Sequence, residues 1–294
     1  MNSKFRVNFP PDPNPEALRF TPPPGTCDTH FHVYGPPHVF PYVEERLYTP
    51  PAAPIEHWFL IAKAVGIERG VLVQPNVHGF VTDVTLDAIA KSEGRLRGMI
   101  RADPELTPEM AKSLHARGIR GIRFNFARHL KGRFDAAQYE KIVSVAALQG
   151  WVVDLHIDAD LIVERAELIR RTNAPVLIDH FGRVDGRLGP DQSGFQVLLD
   201  LLGEPHVWIK ISGVDRLMAR GAAYEQVVSL AHALIDRAPN RVVWGTDWPH
   251  SNVFEPGKVP NDGDLMNMML DLAPDEAQRN KILAENPAKL FGFD

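Results

Sequence analysis

Apolar positions along this chain fall in short continuous runs. Each run ends in polar residues and is followed by a stretch whose apolar residues recur every three or four positions. The runs are "GTCDTHFHV" (25–33), "RGVLVQPN" (69–76), "RLRGMIRAD" (95–103), "GIRGIRFNF" (118–126), "WVVDLHID" (151–158), "APVLIDHFG" (174–182), "HVWIKISG" (206–213) and "RVVWGTDWP" (241–249). Continuous rather than alternating apolarity means strands buried on both faces, as in a parallel sheet covered by helices.

The intervening segments supply the helices. "APIEHWFLIAKAVG" (53–66) and "VTLDAIAKSEG" (84–94) follow the first two runs. "TPEMAKSLHARG" (107–118) carries Pro108 near its first turn and Gly118 just past its end, the expected start and stop chemistry. Comparable stretches cover 135–150, 158–173, 193–205 and 222–239, and "PDEAQRNKILAENPAKLFGF" closes the chain. Eight strand–helix units predict a closed (β/α)₈ barrel of the TIM type, one domain over residues 25–294. A Pro-rich extended arm, residues 1–24, precedes it. The competing doubly wound sheet calls for a glycine-rich loop after an early strand, and "VQPNVHG" is too poor in glycine.

Composition narrows the partners. Of 294 residues, 44% are hydrophobic and 23% charged, as in an ordinary water-soluble domain. A net charge of −5 argues against nucleic acid or an anionic membrane as partner. The first twenty residues lack the apolar core of a secretory signal, and no run reaches membrane-spanning length. The single cysteine, Cys27, excludes an intrachain disulfide and fits the cytoplasmic location we expect.

In a barrel of this type the active site forms at the C-terminal ends of the strands. The first run places His30 and His32 there, two apart and therefore on one face. The second gives Gln74 and Asn76, the fourth Arg123 and Asn125 with Arg128 and His129 beyond, and the fifth His156 and Asp158. Asp179 and His180, Lys210 and Ser212 with Arg216 beyond, and Asp247 come from the last three. Each alone reads as an ordinary polar strand end. Together, four histidines and one aspartate would converge on one mouth, and three imidazoles with a carboxylate suit a divalent ion. Nearby arginines offer forks for carboxylate oxygens.

These residues resemble the amidohydrolase superfamily. "CDTHFHVYGP", "FPYVEERLYTP", "GIRGIRFNF", "IDHFGR" and "WGTDWPH" are similar, more narrowly, to its 2-pyrone-4,6-dicarboxylate hydrolase branch. The resemblance implies a lactonase: Asp247 as general base toward water, and His180, with His30 and His32, polarising the lactone carbonyl. It implies that Tyr48, Arg123 and Arg216 hold substrate carboxylates, with Asn76 in place of the usual small hydroxyl residue. The second loop arginine of the branch corresponds to Arg128 or His129. The pyrone hydrolases are metal-free and carry a tyrosine on the fifth strand. His156 stands there in this chain and restores a metal set of His30, His32, His156 and Asp247, for Zn²⁺ or Mn²⁺, as in related muconolactone-type lactonases. Metal-free hydrolysis is the alternative. The expected substrate is a small anionic lactone. A metal-dependent decarboxylase of a small aromatic or muconate-type acid and a non-catalytic anion-binding barrel are the competing readings.

Overall fold

The computed structural model describes residues 5–127 and 134–293. Eight parallel strands form its main sheet: β1 Cys27–Phe31, β2 Arg69–Val73, β3 Leu96–Arg101, β4 Ile119–Asn125, β5 Val152–His156, β6 Val176–Ile178, β7 Val207–Lys210 and β8 Val242–Val243; Arg6–Val7 and Tyr48–Thr49 pair in a separate two-stranded sheet. Each strand pairs with the next in sequence. The sheet closes where Thr29 N donates to the Trp244 carbonyl at 3.0 Å, Asp247 N to that of His30 at 2.7 Å and His32 N to that of Trp248 at 2.7 Å. Closure removes the exposed edges. Helices follow the strands, from Ile55–Ala64 after β1 to Tyr224–Arg237 after β7. The expected (β/α)₈ barrel is therefore the observed fold. No described helix is long and apolar enough to cross a membrane.

Local chemistry fixes several boundaries. Thr107 caps Pro108–Ala116 by accepting from Met110 N at 3.2 Å. Two strands are shorter than their apolar runs. β8 ends at Val243, and Asp247 adopts a φ of 61° in the turn beyond. Gly245 makes that turn fit: a Cβ there would lie 2.6 Å from His30 N. β6 ends at Ile178, and His180, Phe181 and Arg183 likewise take positive φ.

The barrel interior is layered. Cys27, Val71, Val73, Met99, Val152, Leu177, Trp208 and Val243 form one buried apolar cluster on the barrel axis. Two residues beyond Met99, Gly121, Val152, Leu177 and Trp208, the next inward positions are charged: Arg101, Arg123, Asp154, Asp179 and Lys210. Residues 8–19 run along the segment after β8: Asn8 Oδ1 accepts from Val253 N at 2.8 Å and Arg19 N donates to Asn267 Oδ1 at 2.7 Å.

Candidate active site

A cavity of about 630 Å³ opens at the C-terminal strand ends. His32, Tyr48, Asn76, Arg123, His156, His180, Arg216 and Asp247 all line it. Arg128 and His129 lie outside the described residues.

Asp28 anchors the floor of the site. Its carboxylate accepts from Thr246 Oγ1 at 2.6 Å and N at 3.0 Å, from His30 N at 3.0 Å and from Trp58 Nε1 at 3.3 Å. One buried carboxylate thereby ties β1 to the turn after β8, and burial pushes its own pKa up to about 6.

Asp247 divides its two oxygens. Oδ2 accepts from Arg216 Nε at 2.7 Å and pairs with Arg216 Nη2. Oδ1 faces imidazoles, 3.4 Å from His32 Nε2 and 3.6 Å from His30 Nε2. Burial raises the Asp247 pKa, but Arg216, His180 and His32 outweigh it and hold the carboxyl well below its usual range. Arg216 Nη1 also donates to the Ser251 carbonyl at 3.2 Å. The guanidinium expected to meet a substrate carboxylate is thus turned onto Asp247.

The histidines differ in their commitments. His32 Nδ1 donates to the Val73 carbonyl at 2.7 Å, so in the neutral ring Nε2 is an acceptor. It points at Asp247 Oδ1, another acceptor. Two facing acceptors at 3.4 Å call for a cation or a proton between them. His30 Nε2 is buried without a hydrogen-bond partner, while its Nδ1 lies 3.0 Å from Lys210 Nζ and 3.4 Å from Asp179 Oδ1. His180 shares a hydrogen bond with Ser212 Oγ at 2.8 Å. Burial lowers the His180 pKa to about 3 and keeps His30 neutral as well. Ligand atoms of His30, His180 and Asp247 lie within 4.8 Å of one another, a group that could hold a metal ion.

His156 is placed apart from that group. Its Nε2 accepts from Arg183 Nη1 at 3.1 Å, leaving Nδ1 to donate to Asn125 Oδ1 at 3.3 Å. Asn125 Nδ2 in turn donates to Asn76 Oδ1 at 3.0 Å, and Arg183 Nε to Asp158 Oδ1 at 2.6 Å. Tyr48 shares its hydroxyl with Tyr34 at 2.8 Å, and Tyr34 with Ser251 at 2.5 Å.

Beneath these groups lies a charged layer that reading strand tips alone overlooks. Arg123 Nη2 donates to Asp179 Oδ2 at 2.6 Å and its Nε lies 3.2 Å from Asp154 Oδ2. Lys210 Nζ donates to Asp179 Oδ1 at 2.7 Å and lies 3.6 Å from Asp154 Oδ1. Burial and the neighbouring Asp179 carboxylate push the Asp154 pKa up, against the opposing pull of Lys210 and Arg123. Asp179 stays ionised, because Lys210, His30 and Arg123 outweigh its burial. Asp154 was findable: it stands two residues before His156 and shares its inward face.

Known proteins are similar to this chain over most of its length. The chain is 47% identical to 4-sulfomuconolactone hydrolase of Hydrogenophaga intermedia over 276 residues, 94% of this chain and 91% of that one. It is 33% identical to 2-pyrone-4,6-dicarboxylate hydrolase of Comamonas testosteroni, covering 95% and 93%. A solved structure of a probable 2-pyrone-4,6-dicarboxylic acid hydrolase from Acinetobacter baumannii, with citric acid bound, superposes with a TM-score of 0.79 at 28% identity, over 92% of this chain and 100% of that one. The amidohydrolase family model matches residues 27–293, and the chain belongs to the amidohydrolase family.

Proposed function

We propose that this protein is a lactonase: it opens the ester ring of a small carboxylate-bearing lactone of the muconolactone or pyrone-dicarboxylate type. The observation that carries the reading is the division of labour at Asp247. One oxygen is fixed by Arg216, and the other is left beside imidazoles in an arginine-lined cavity. The names of the similar enzymes supply the substrate class.

Asp247 Oδ1 takes a proton from water as the water oxygen bonds to the lactone carbonyl carbon. The carbonyl oxygen becomes an oxyanion, which the His180 and His30 side, together with the nearby guanidinium of Arg123, stabilises electrostatically. The ring C–O bond then breaks, and the proton held by Asp247 passes to the departing ring oxygen. Arg216 keeps the Asp247 carboxylate ionised and oriented. Arg123, Tyr48 and Asn76 position the substrate carboxylate.

A divalent ion fits these donors. His30, His32 and Asp247, with His180 beside them, would hold it, and it would lie where two acceptors now face each other. His156 would join only by releasing Arg183. Zn²⁺ and Mn²⁺ both suit such a set, and either would acidify a bound water and polarise the carbonyl. That chemistry matters here because so weak a base as Asp247 needs an acidified water.

The experiment is elemental analysis of protein purified without chelators, joined to a panel of lactones and candidate acids assayed before and after chelation. We expect bound metal, ring opening of an acidic lactone and loss of activity on chelation. Carbon dioxide release without ring opening would favour a decarboxylase. Full activity in metal-free protein would place hydrolysis on the imidazoles and Asp247 alone.

A further inference from the structure

Arg101 is a member of the charged layer with no ion-pair partner among the described residues and no part in the proposed bond making. It ends β3 and pairs in register with Arg123 on β4. Its neighbours in the layer are compensated: Arg123 and Lys210 both reach Asp179 and Asp154. Among the described residues no carboxylate lies within ion-pair reach of Arg101, and its buried Nε has no hydrogen-bond partner. Burial and the charge of Arg123 depress its pKa, with Asp103 a lesser opposing influence. Its guanidinium carbon lies 4.7 Å from the centroid of the Phe80 ring, which holds the planar group in one orientation.

The side chain lines the same cavity as Asp247, His180 and Arg123. Around the barrel, β3 is separated from β8 by β1 and β2, so Arg101 stands on a different wall from the base. Within this layer the three cations Arg101, Arg123 and Lys210 face two carboxylates, Asp154 and Asp179, and both carboxylates are taken up by Arg123 and Lys210. A low-dielectric pocket with surplus positive charge and unmet planar donors is matched by an anion whose oxygens accept two hydrogen bonds at once.

We propose that Arg101, stacked on Phe80, forms a second anion subsite that binds a carboxylate or sulfonate on the substrate remote from the scissile carbonyl, and so selects dianionic over monoanionic lactones. This rests on the lactonase reading and sharpens it to a substrate class. Arg101 is a specificity residue; it takes no part in bond making.

The experiment compares wild type, Arg101→Met and Arg101→Lys on 4-sulfomuconolactone and on muconolactone, which lacks the sulfonate. Calorimetric binding of succinate and butyrate, which differ by one carboxylate, is measured alongside and needs no turnover. Thermal unfolding checks that each variant is folded. Losing a desolvated charge-assisted contact should lower kcat/KM of Arg101→Met for the sulfonated lactone about 30-fold, mainly through KM. The loss for muconolactone should stay under about threefold, and Arg101→Lys should recover part of the difference. Succinate binding should weaken in parallel while butyrate binding holds. Equal losses on both lactones, or no loss on either, overturn the proposal. If wild type opens neither lactone, the lactonase reading fails and calorimetry still decides Arg101. A wild type without preference for succinate, or a preference retained in Arg101→Met, overturns it.

Discussion

Leu177 and Asp179 stand two residues apart on the inward face of one run, and between them the barrel interior changes character. Leu177 belongs to the apolar layer, a cluster of aliphatic, aromatic and sulfur-bearing side chains. Asp179 is equally buried, yet its neighbours are Arg123, Lys210 and His30. The lower layer gains from removing apolar surface from water and from close packing. The upper layer bears a desolvation cost for each ion, which pairing offsets only where the geometry is good. That cost secures position: Nδ1 of His30 is held between a donor, Lys210 Nζ at 3.0 Å, and an acceptor, Asp179 Oδ1 at 3.4 Å, so the ring is fixed in the site. The same strands thus support two regimes. One makes the barrel stable. The other makes its mouth polar in a fixed arrangement.

The contrast has consequences that mutation can break. Leu177→Ala leaves a hole in the lower layer and should cost about 2 to 5 kcal/mol of stability. Below its unfolding temperature kcat should be unchanged. Chemical denaturation and steady-state kinetics on the same preparation check this, and a fall in kcat without a fall in stability would show that the layers are not separate.

Asp247→Asn tests the opposite corner. Asparagine tolerates the left-handed backbone at φ 61°, so the turn should survive. The variant loses the basic oxygen, and kcat should fall at least about 100-fold, some 2.7 kcal/mol of transition-state stabilisation, in protein that loses stability with the Arg216 ion pair but is still folded at the assay temperature. A folded variant keeping more than about a third of wild-type kcat would remove Asp247 from the role of base. Because Arg216 depresses its pKa, wild-type activity should not decline through Asp247 protonation until below the usual carboxylate range.

The layering explains what could be read in advance. Runs of apolar residues mark the lower layer directly, so all eight strands and the barrel were legible. Strand ends were not, because the chain leaves the sheet through left-handed turns at Asp247 and His180, where apolar content continues as "WGTDWP" and "DHFG". Period-two reasoning placed His30 and His32 on one face, and their rings lie 5.0 Å apart. Carried two residues back from His156 and forward from Met99, the same rule would have found Asp154 and Arg101. The pairing of Arg216 with Asp247 and of Arg183 with His156 joins residues far apart in sequence on different loops. No local pattern announces such contacts. They are set by where the loops after β6, β7 and β8 meet.

The smallest effect separates the layers by their response to acid. In the upper layer His180 is neutral in the folded protein, its pKa lowered to about 3, whereas an unfolded histidine titrates near its ordinary value of about 6.5. The folded pKa is depressed, so the unfolded chain binds the proton first. The contribution of this residue to stability is full above pH 6.5 or so and is lost progressively as the pH falls from there toward 3. Between pH 7 and pH 6 the loss should be about 0.7 kcal/mol from this one ring, with His30 and His156 adding in the same direction. The lower layer contains no group that titrates in this window, so Leu177→Ala should lower stability equally at both pH values. His180→Asn, which also accepts a positive φ, should lower the absolute stability but reduce its dependence on pH by that amount. Urea unfolding of chelated protein at the two pH values measures both. An unchanged pH dependence in His180→Asn would mean that the ring titrates in the folded protein as it does in the unfolded chain, and burial would then not be what keeps it neutral.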